Sequence, residues 1–311
     1  MQAPAHMRET GTDGSSDMTP EEHLKAGDLE ETLKSLQDKV RADPANAKLR
    51  IFLFQLLCVM GDWKRAITQL KLSAEMDEAA TMMARTYREA IICEVYREKV
   101  FAGEKEPLIF GEPQEWLALL VEAQKAFAAG KLTEAAEVRA RAFDDAPATP
   151  GMVDGNKFEW IADADMRLGP VLEVIVNGKY FWMPFNQIGA LEIEAPGDLR
   201  DAVWMAATLT TINGGQVPAL IPTRYAGTTE RGDAAAKLAR ATAWEDAGDE
   251  TFIGLGQRLF ATDEADIALM DMRLLSMDGF DPSTIMPPES EADGDADADA
   301  DAGAGDAGGD G

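Results

Sequence analysis

The chain has 311 residues, enough for two domains of ordinary size, and 46% of them are apolar, so a real core can form and global disorder is excluded. Its 29 basic and 56 acidic residues leave a formal charge of −27, which argues against nucleic acid or an anionic membrane as partner through bulk charge. Two histidines near the N-terminus (His6, His23) and two cysteines outside any CxxC spacing (Cys58, Cys93) disfavour a histidine triad, a thiolate zinc site and a disulfide framework.

No apolar run reaches the length of a membrane span, and the polar N-terminus lacks the apolar stretch of a signal peptide, so the expected setting is the reducing cytoplasm. Residues 1–18, with Gly11, Gly14, Ser15 and Ser16, read as a loose end. A repeat follows. Gly27-Asp28-Leu29-Glu30-Glu31-Thr32-Leu33, Gly61-Asp62-Trp63-Lys64-Arg65-Ala66-Ile67 and Gly130-Lys131-Leu132-Thr133-Glu134-Ala135-Ala136 are three versions of one heptapeptide. The first two start 34 residues apart and the last two 69 apart, close to twice that, which is the period of tetratricopeptide-type helical hairpins. In such a unit a glycine ends helix A, a large apolar residue opens helix B, and a small residue lets the two helices approach.

Asp43-Pro44-Ala45-Asn46 fits a link between hairpins, and Leu49, Phe52, Leu53, Leu56, Leu57 and Met60 then recur with helical spacing. The copy expected near residue 95 is absent, and a long helix is expected over 79–101. Residues 113–129 and 132–143 form the last pair. The whole 19–149 segment therefore reads as a tetratricopeptide-like helical domain. Stacked A helices line a concave wall that accepts a peptide or helix, here drawn from 45–60, 79–101 and 113–129. The candidate partner-binding residues are Arg85, Tyr87, Arg88, Tyr96 and Arg97, because Arg and Tyr combine large contact area with directed hydrogen bonds. The blander alternative makes Tyr87 and Tyr96 core residues and pairs the arginines with Glu89, Glu94 and Glu98 along the helix. Trp63 and Trp116 are expected to anchor the core.

After Pro147-Ala148-Thr149-Pro150-Gly151 the period changes. Val171–Val176 reads as a strand, Asn177-Gly178 as a two-residue hairpin turn, and Lys179–Met183 as the returning strand. Ile188–Ile193 is a further strand. Trp204–Ile212 and Val217–Ile221 flank Asn213-Gly214-Gly215, with Pro218 expected to put the second of them at an edge or bulge. With later strand or short-helix candidates at 251–260 and 267–275, residues 150–280 read as a smaller antiparallel-sheet α+β domain.

Asp163-Ala164-Asp165 is a DxD, a pattern that can ligate Mg²⁺ or Mn²⁺, but Arg167, Arg200, Arg224 and Arg240 make an internal carboxylate–guanidinium network the plainer account. Gly254-Leu255-Gly256 lacks the setting of a dinucleotide loop, and a serine nucleophile would find no histidine base in this half. Residues 281–311 end the chain as an acidic tail expected to be disordered. From Glu289 onward it holds nine acidic residues, no basic ones and no large apolar ones, so without that stretch the formal charge is −18.

Longer strings carry a resemblance. Phe54–Cys58, Gly61–Ala66, Gln69-Leu70, Phe158–Pro170, Glu173-Val174-Ile175, Gly178-Lys179-Tyr180, Trp182, Leu199-Arg200-Asp201, Ile221–Tyr225, Thr242-Ala243-Trp244 and Gly256-Gln257-Arg258 are similar to the ImpE/TagJ family of type VI secretion accessory proteins. The similarity spans roughly 24–275. It implies a non-enzymatic cytoplasmic adaptor that binds the small sheath subunit and, through it, serves the ClpV-type AAA+ ATPase that recycles contracted sheath. The expected ligand of the helical wall is then an amphipathic helix of that subunit. The family brings no catalytic residues, cofactor or metal, and leaves the oligomeric state open. The competing expectation is a divalent-metal-dependent enzyme acting on a phosphorylated substrate through Asp163 and Asp165.

Overall fold

A computed structural model describes residues 18–280. Apart from Met18, the loose ends expected at 1–18 and 281–311 lie outside the described residues.

The heptapeptides build what their residue types dictate. Gly27 closes α1 (Pro20–Ala26) and Gly61 closes α3 (Ala47–Met60), both in the left-handed region at φ +83° and +78°. The aspartate next in sequence caps the following helix. Asp28 accepts the Glu31 N–H at 3.0 Å as α2 (Leu29–Ala42) begins, and Asp62 accepts the Arg65 N–H at 3.2 Å as α4 (Trp63–Met76) begins. In the third copy Gly130 separates α6 (Glu115–Ala128) from α7 (Leu132–Asp145), and Lys131 supplies no side-chain cap. The small residue of each copy, Thr32, Ala66 and Ala135, is 0% exposed, as close helix approach requires. Where the missing copy would fall, α5 (Ala80–Phe101) runs unbroken for 22 residues. The tetratricopeptide-like half and the antiparallel-sheet half both form.

A nine-stranded sheet follows, in the order β1-β6-β5-β9-β8-β7-β14-β2-β3. Its members are β1 (Leu108–Ile109), β2 (Gly151–Val153), β3 (Asn156–Phe158), β5 (Val171–Val176), β6 (Lys179–Pro184), β7 (Ile188–Ile193), β8 (Trp204–Thr211), β9 (Gln216–Pro222) and β14 (Leu274–Met277). Every pairing is antiparallel except that of β1, which leaves the helical half to lie parallel to β6. Two small sheets flank it, one of β10 (Thr242–Asp246) and β11 (Phe252–Gly256), the other of β4 (Ile161–Asp163), β12 (Leu259–Thr262) and β13 (Asp266–Ala268). Asn177 and Gly178 join β5 to β6 with φ +49° and +70°, the positive pair a type I′ turn needs.

Pro218 does not mark an edge strand, since β9 lies between β5 and β8. The proline is tolerated because β5 begins to pair only at Ala219, so at Pro218 one side of β9 carries no β5 ladder bond.

β5 is buried on both faces, and its period of two sorts its side chains. Leu172, Val174 and Val176 join a core with Met183, Leu191, Leu209 and Phe260 on the far side of the sheet. Val171 and Ile175 turn to the helices, joining Phe54, Leu57, Tyr87, Ile91, Trp182 and Trp204 in one apolar cluster. Glu173 lies between those two on the same face, and so meets the helices.

Candidate functional site

The inner wall expected to receive a partner is filled by the chain itself. On α3, Leu53, Phe54, Leu56, Leu57, Cys58 and Val59 are buried with Ala202, Val203 and Trp204 of the sheet half. Arg224, just past β9, donates to the last carbonyls of α3, Val59 at 2.7 Å and Cys58 at 3.2 Å, and to the Lys237 carbonyl at 2.6 Å. It thereby satisfies acceptors that a helix C-terminus leaves open. Burial lowers the Arg224 guanidinium to about 10.

α5 carries the five candidate residues and divides them. Arg85 and Arg88 are exposed on its outer face. Tyr87 is 7% exposed, its ring 5.9 Å from Phe54 and 5.8 Å from Trp204, with the Arg200 guanidinium 4.9 Å from its centre. Tyr96 is half-buried, donates to the Glu106 carbonyl at 2.7 Å, and lies 6.4 Å from the Tyr180 ring. Arg97 is 4% exposed. Tyr87 and Arg97 therefore face the protein's own interior, because the apolar face of α5 is consumed by the sheet. The helical ion pairs form at Arg85–Glu89 (3.5 Å) and Arg97–Glu94 (3.2 Å), whereas Glu98 accepts the Trp63 indole N–H at 2.7 Å. Trp116 is a core residue and Trp63 is half-buried.

Arg97 opens a buried ionic network across the helix–sheet boundary. Its Nε and Nη2 donate to the two oxygens of Glu173 at 2.6 and 2.7 Å, and Nη2 also reaches the Arg224 carbonyl at 2.9 Å. The Tyr180 hydroxyl donates to Glu173 and accepts the Trp182 indole N–H at 2.7 Å. Arg258, wholly buried after β11, bridges Glu173 and Asp163 and donates to the Pro222 carbonyl at 2.9 Å. Glu94 closes the far side by accepting the Trp204 indole N–H at 3.0 Å. Burial alone would raise the Glu173 carboxyl, but the charges of Arg97 and Arg258, with hydrogen bonds from Arg97 and Tyr180, outweigh it and hold the group at about 2. For Asp163 burial wins over Arg258, with Asp165 adding repulsion, and the carboxyl rises to about 7.

The DxD belongs to this network. Asp163 accepts the Asp165 N–H at 2.9 Å and pairs with Arg258. Asp165 accepts the Arg167 N–H and Nε at 2.9 Å each, Arg167 Nη2 at 2.5 Å and the Gly254 N–H at 2.9 Å. Every carboxylate oxygen of the motif is thus committed to a protein donor, and the arrangement ties β4 to β11. Among the described residues no group of three or more His, Cys, Asp or Glu side chains is placed to hold a metal ion. Cys58 and Cys93 are buried free thiols, and burial raises both, Cys93 to about 12.

Sequence reasoning gave no role to Glu173, Tyr180 or Arg258. One signal was available for Glu173, a lone carboxylate in the apolar strand Val171–Val176, which must be paired to be buried.

The tetratricopeptide-repeat family model matches residues 23–86, and the ImpE protein family model matches residues 155–276. The Type VI secretion system accessory component TagJ of Pseudomonas aeruginosa is 52% identical over 268 residues, which is 86% of this chain and 94% of that protein. The chain belongs to the ImpE/TagJ family. The crystal structure of protein VPA1032 from Vibrio parahaemolyticus superposes with a TM-score of 0.75 at 24% identity, covering 83% of this chain and 97% of that one, and so shares the fold of this ImpE/TagJ member. Among its described residues no helix is long and apolar enough to cross a membrane.

Proposed function

We propose that the chain is a cytoplasmic, non-enzymatic adaptor of the type VI secretion system. It binds the small sheath subunit and links it to the ClpV-type AAA+ ATPase that recycles contracted sheath. The observation that carries this reading is the 52% identity to an accessory component of that system along 94% of the relative's length. The geometry is consistent with it. Asp163 and Asp165, on which the divalent-metal alternative depends, direct their oxygens to Arg258, Arg167 and backbone N–H groups. With the inner wall filled, the reading takes the partner to meet the outer surface, where Arg85 and Arg88 are exposed. The test is a titration of the purified full-length chain with the purified small sheath subunit of the same secretion cluster. Saturable binding is expected. Absence of binding by the folded chain overturns the adaptor reading.

A further inference from the structure

We propose that the outer face of α5 is an open helix-pairing seam, and that its occupant is an acidic amphipathic helix of a partner protein. Arg85, Arg88, Ile92, Val95 and Lys99 recur at alternating steps of three and four, the a/d spacing against which a second helix packs its own side chains. All five are exposed, and the two apolar members in the middle are large, Ile92 at 47% and Val95 at 37%. From Arg85 to Lys99 the seam is about 21 Å long at 1.5 Å per residue. The opposite face of the helix is fixed by the Arg97 network and the shared core, so the seam is held rigid before any partner arrives.

Charge selects the occupant. The chain carries −27, yet the ends of this seam are basic. Arg85 is paired only along its own helix, with Glu89 at 3.5 Å, and its side chain stays 78% exposed. Among the described residues neither Arg88 nor Lys99 makes an ion pair. A second copy of α5 is a poor fit. In parallel it sets Arg85 on Arg85; antiparallel about Ile92 it sets Arg85 on Lys99 and Arg88 on Val95. Both bring like charges together between two strongly acidic chains. A helix with two central apolar seam residues flanked by Asp or Glu matches the seam at every position. At its Lys99 end the seam opens into a cleft of about 710 Å³ between α5, residues 226–231 and the β10–β11 hairpin. Val95, Phe127 and Ile253 are among its lining residues, but so are Glu98, Glu104, Glu230, Glu245 and Asp246, so the cleft repels acidic side chains and marks where the docked helix ends.

The inference rests on the adaptor reading only for which protein owns the helix. Its test uses the full-length chain and a designed, fluorophore-labelled peptide of about three heptads with Leu at the central seam positions and Glu at the outer ones. The expected result is saturable binding that weakens with salt. Ile92→Asp should abolish it, and Arg88→Glu with Lys99→Glu should weaken it at least about tenfold, with circular dichroism and melting temperature unchanged. Lys34→Glu on the exposed side of α2 should leave it intact. No binding, or equal binding by the seam variants, overturns the seam whatever the sheath subunit does. Peptide binding without sheath-subunit binding supports the seam and overturns the adaptor reading.

Discussion

Glu173→Gln should be among the most damaging single substitutions in this protein. The carboxylate takes two hydrogen bonds from Arg97 and one from Arg258, and both arginines are buried. Glutamine keeps the size and loses the charge, leaving two guanidiniums in the interior with one compensating carboxylate fewer. Removing one partner of a buried pair typically costs roughly 3–5 kcal/mol. The carboxyl itself gives a second estimate. Held at about 2 against an ordinary 4.5, it contributes about 3 kcal/mol to stability at neutral pH, at 1.36 kcal/mol per pH unit. The two agree. For a chain of this size 1 kcal/mol moves the melting temperature by about 2–4 °C, so about 3 kcal/mol lowers it by roughly 6–12 °C, together with a lower urea midpoint at unchanged m-value. A loss below about 1 kcal/mol would refute the network as a principal tie between helices and sheet, since that is the scale of one ordinary hydrogen bond.

The pH dependence of stability should show two limbs. The Glu173 carboxyl is held low, so its contribution is present above about pH 4.5 and lost as pH falls toward 2. The Asp163 carboxyl is raised to about 7, so the folded state holds a proton the unfolded chain lacks and stability declines as pH rises from about 4 to 7. Urea midpoints across that range, flattened on the upper limb by Asp163→Asn, check both signs. Millimolar Mg²⁺ or Mn²⁺ should not move the melting temperature; a saturable shift that disappears in Asp165→Asn would restore the metal reading. Gly61→Ala should cost more than Gly27→Ala in matched melts. Both positions have positive φ, but a Cβ at 61 would lie 2.8 Å from the Thr229 Cβ, whereas at 27 it meets nothing within 4 Å.

Much of the local structure was legible because it depends on local rules. A glycine followed by aspartate stops one helix and caps the next, a small residue five positions on permits close packing, and the 34-residue spacing repeats the unit. Asn177-Gly178 names its own turn, and the alternation along β5 assigns its faces. None of this says where the helices meet the sheet. The same helical period fits Tyr87 and Arg97 facing a groove or facing a core. Only the docking of β6, β8 and Arg224 against α3 and α5 turned them inward and left Arg85 and Arg88 outside. The ionic network was hidden for a related reason. Arg97, Glu173 and Arg258 are separated by 76 and 85 positions along the chain, and a pairing at that distance leaves no periodic trace. Sequence alone therefore determined the helical repeat and the run of strands from β5 to β9, and missed the short strands β2, β3, β4 and β10. The tertiary structure decided which charges pair in the interior and which remain for a partner, because burial is a property of surfaces brought together from distant segments.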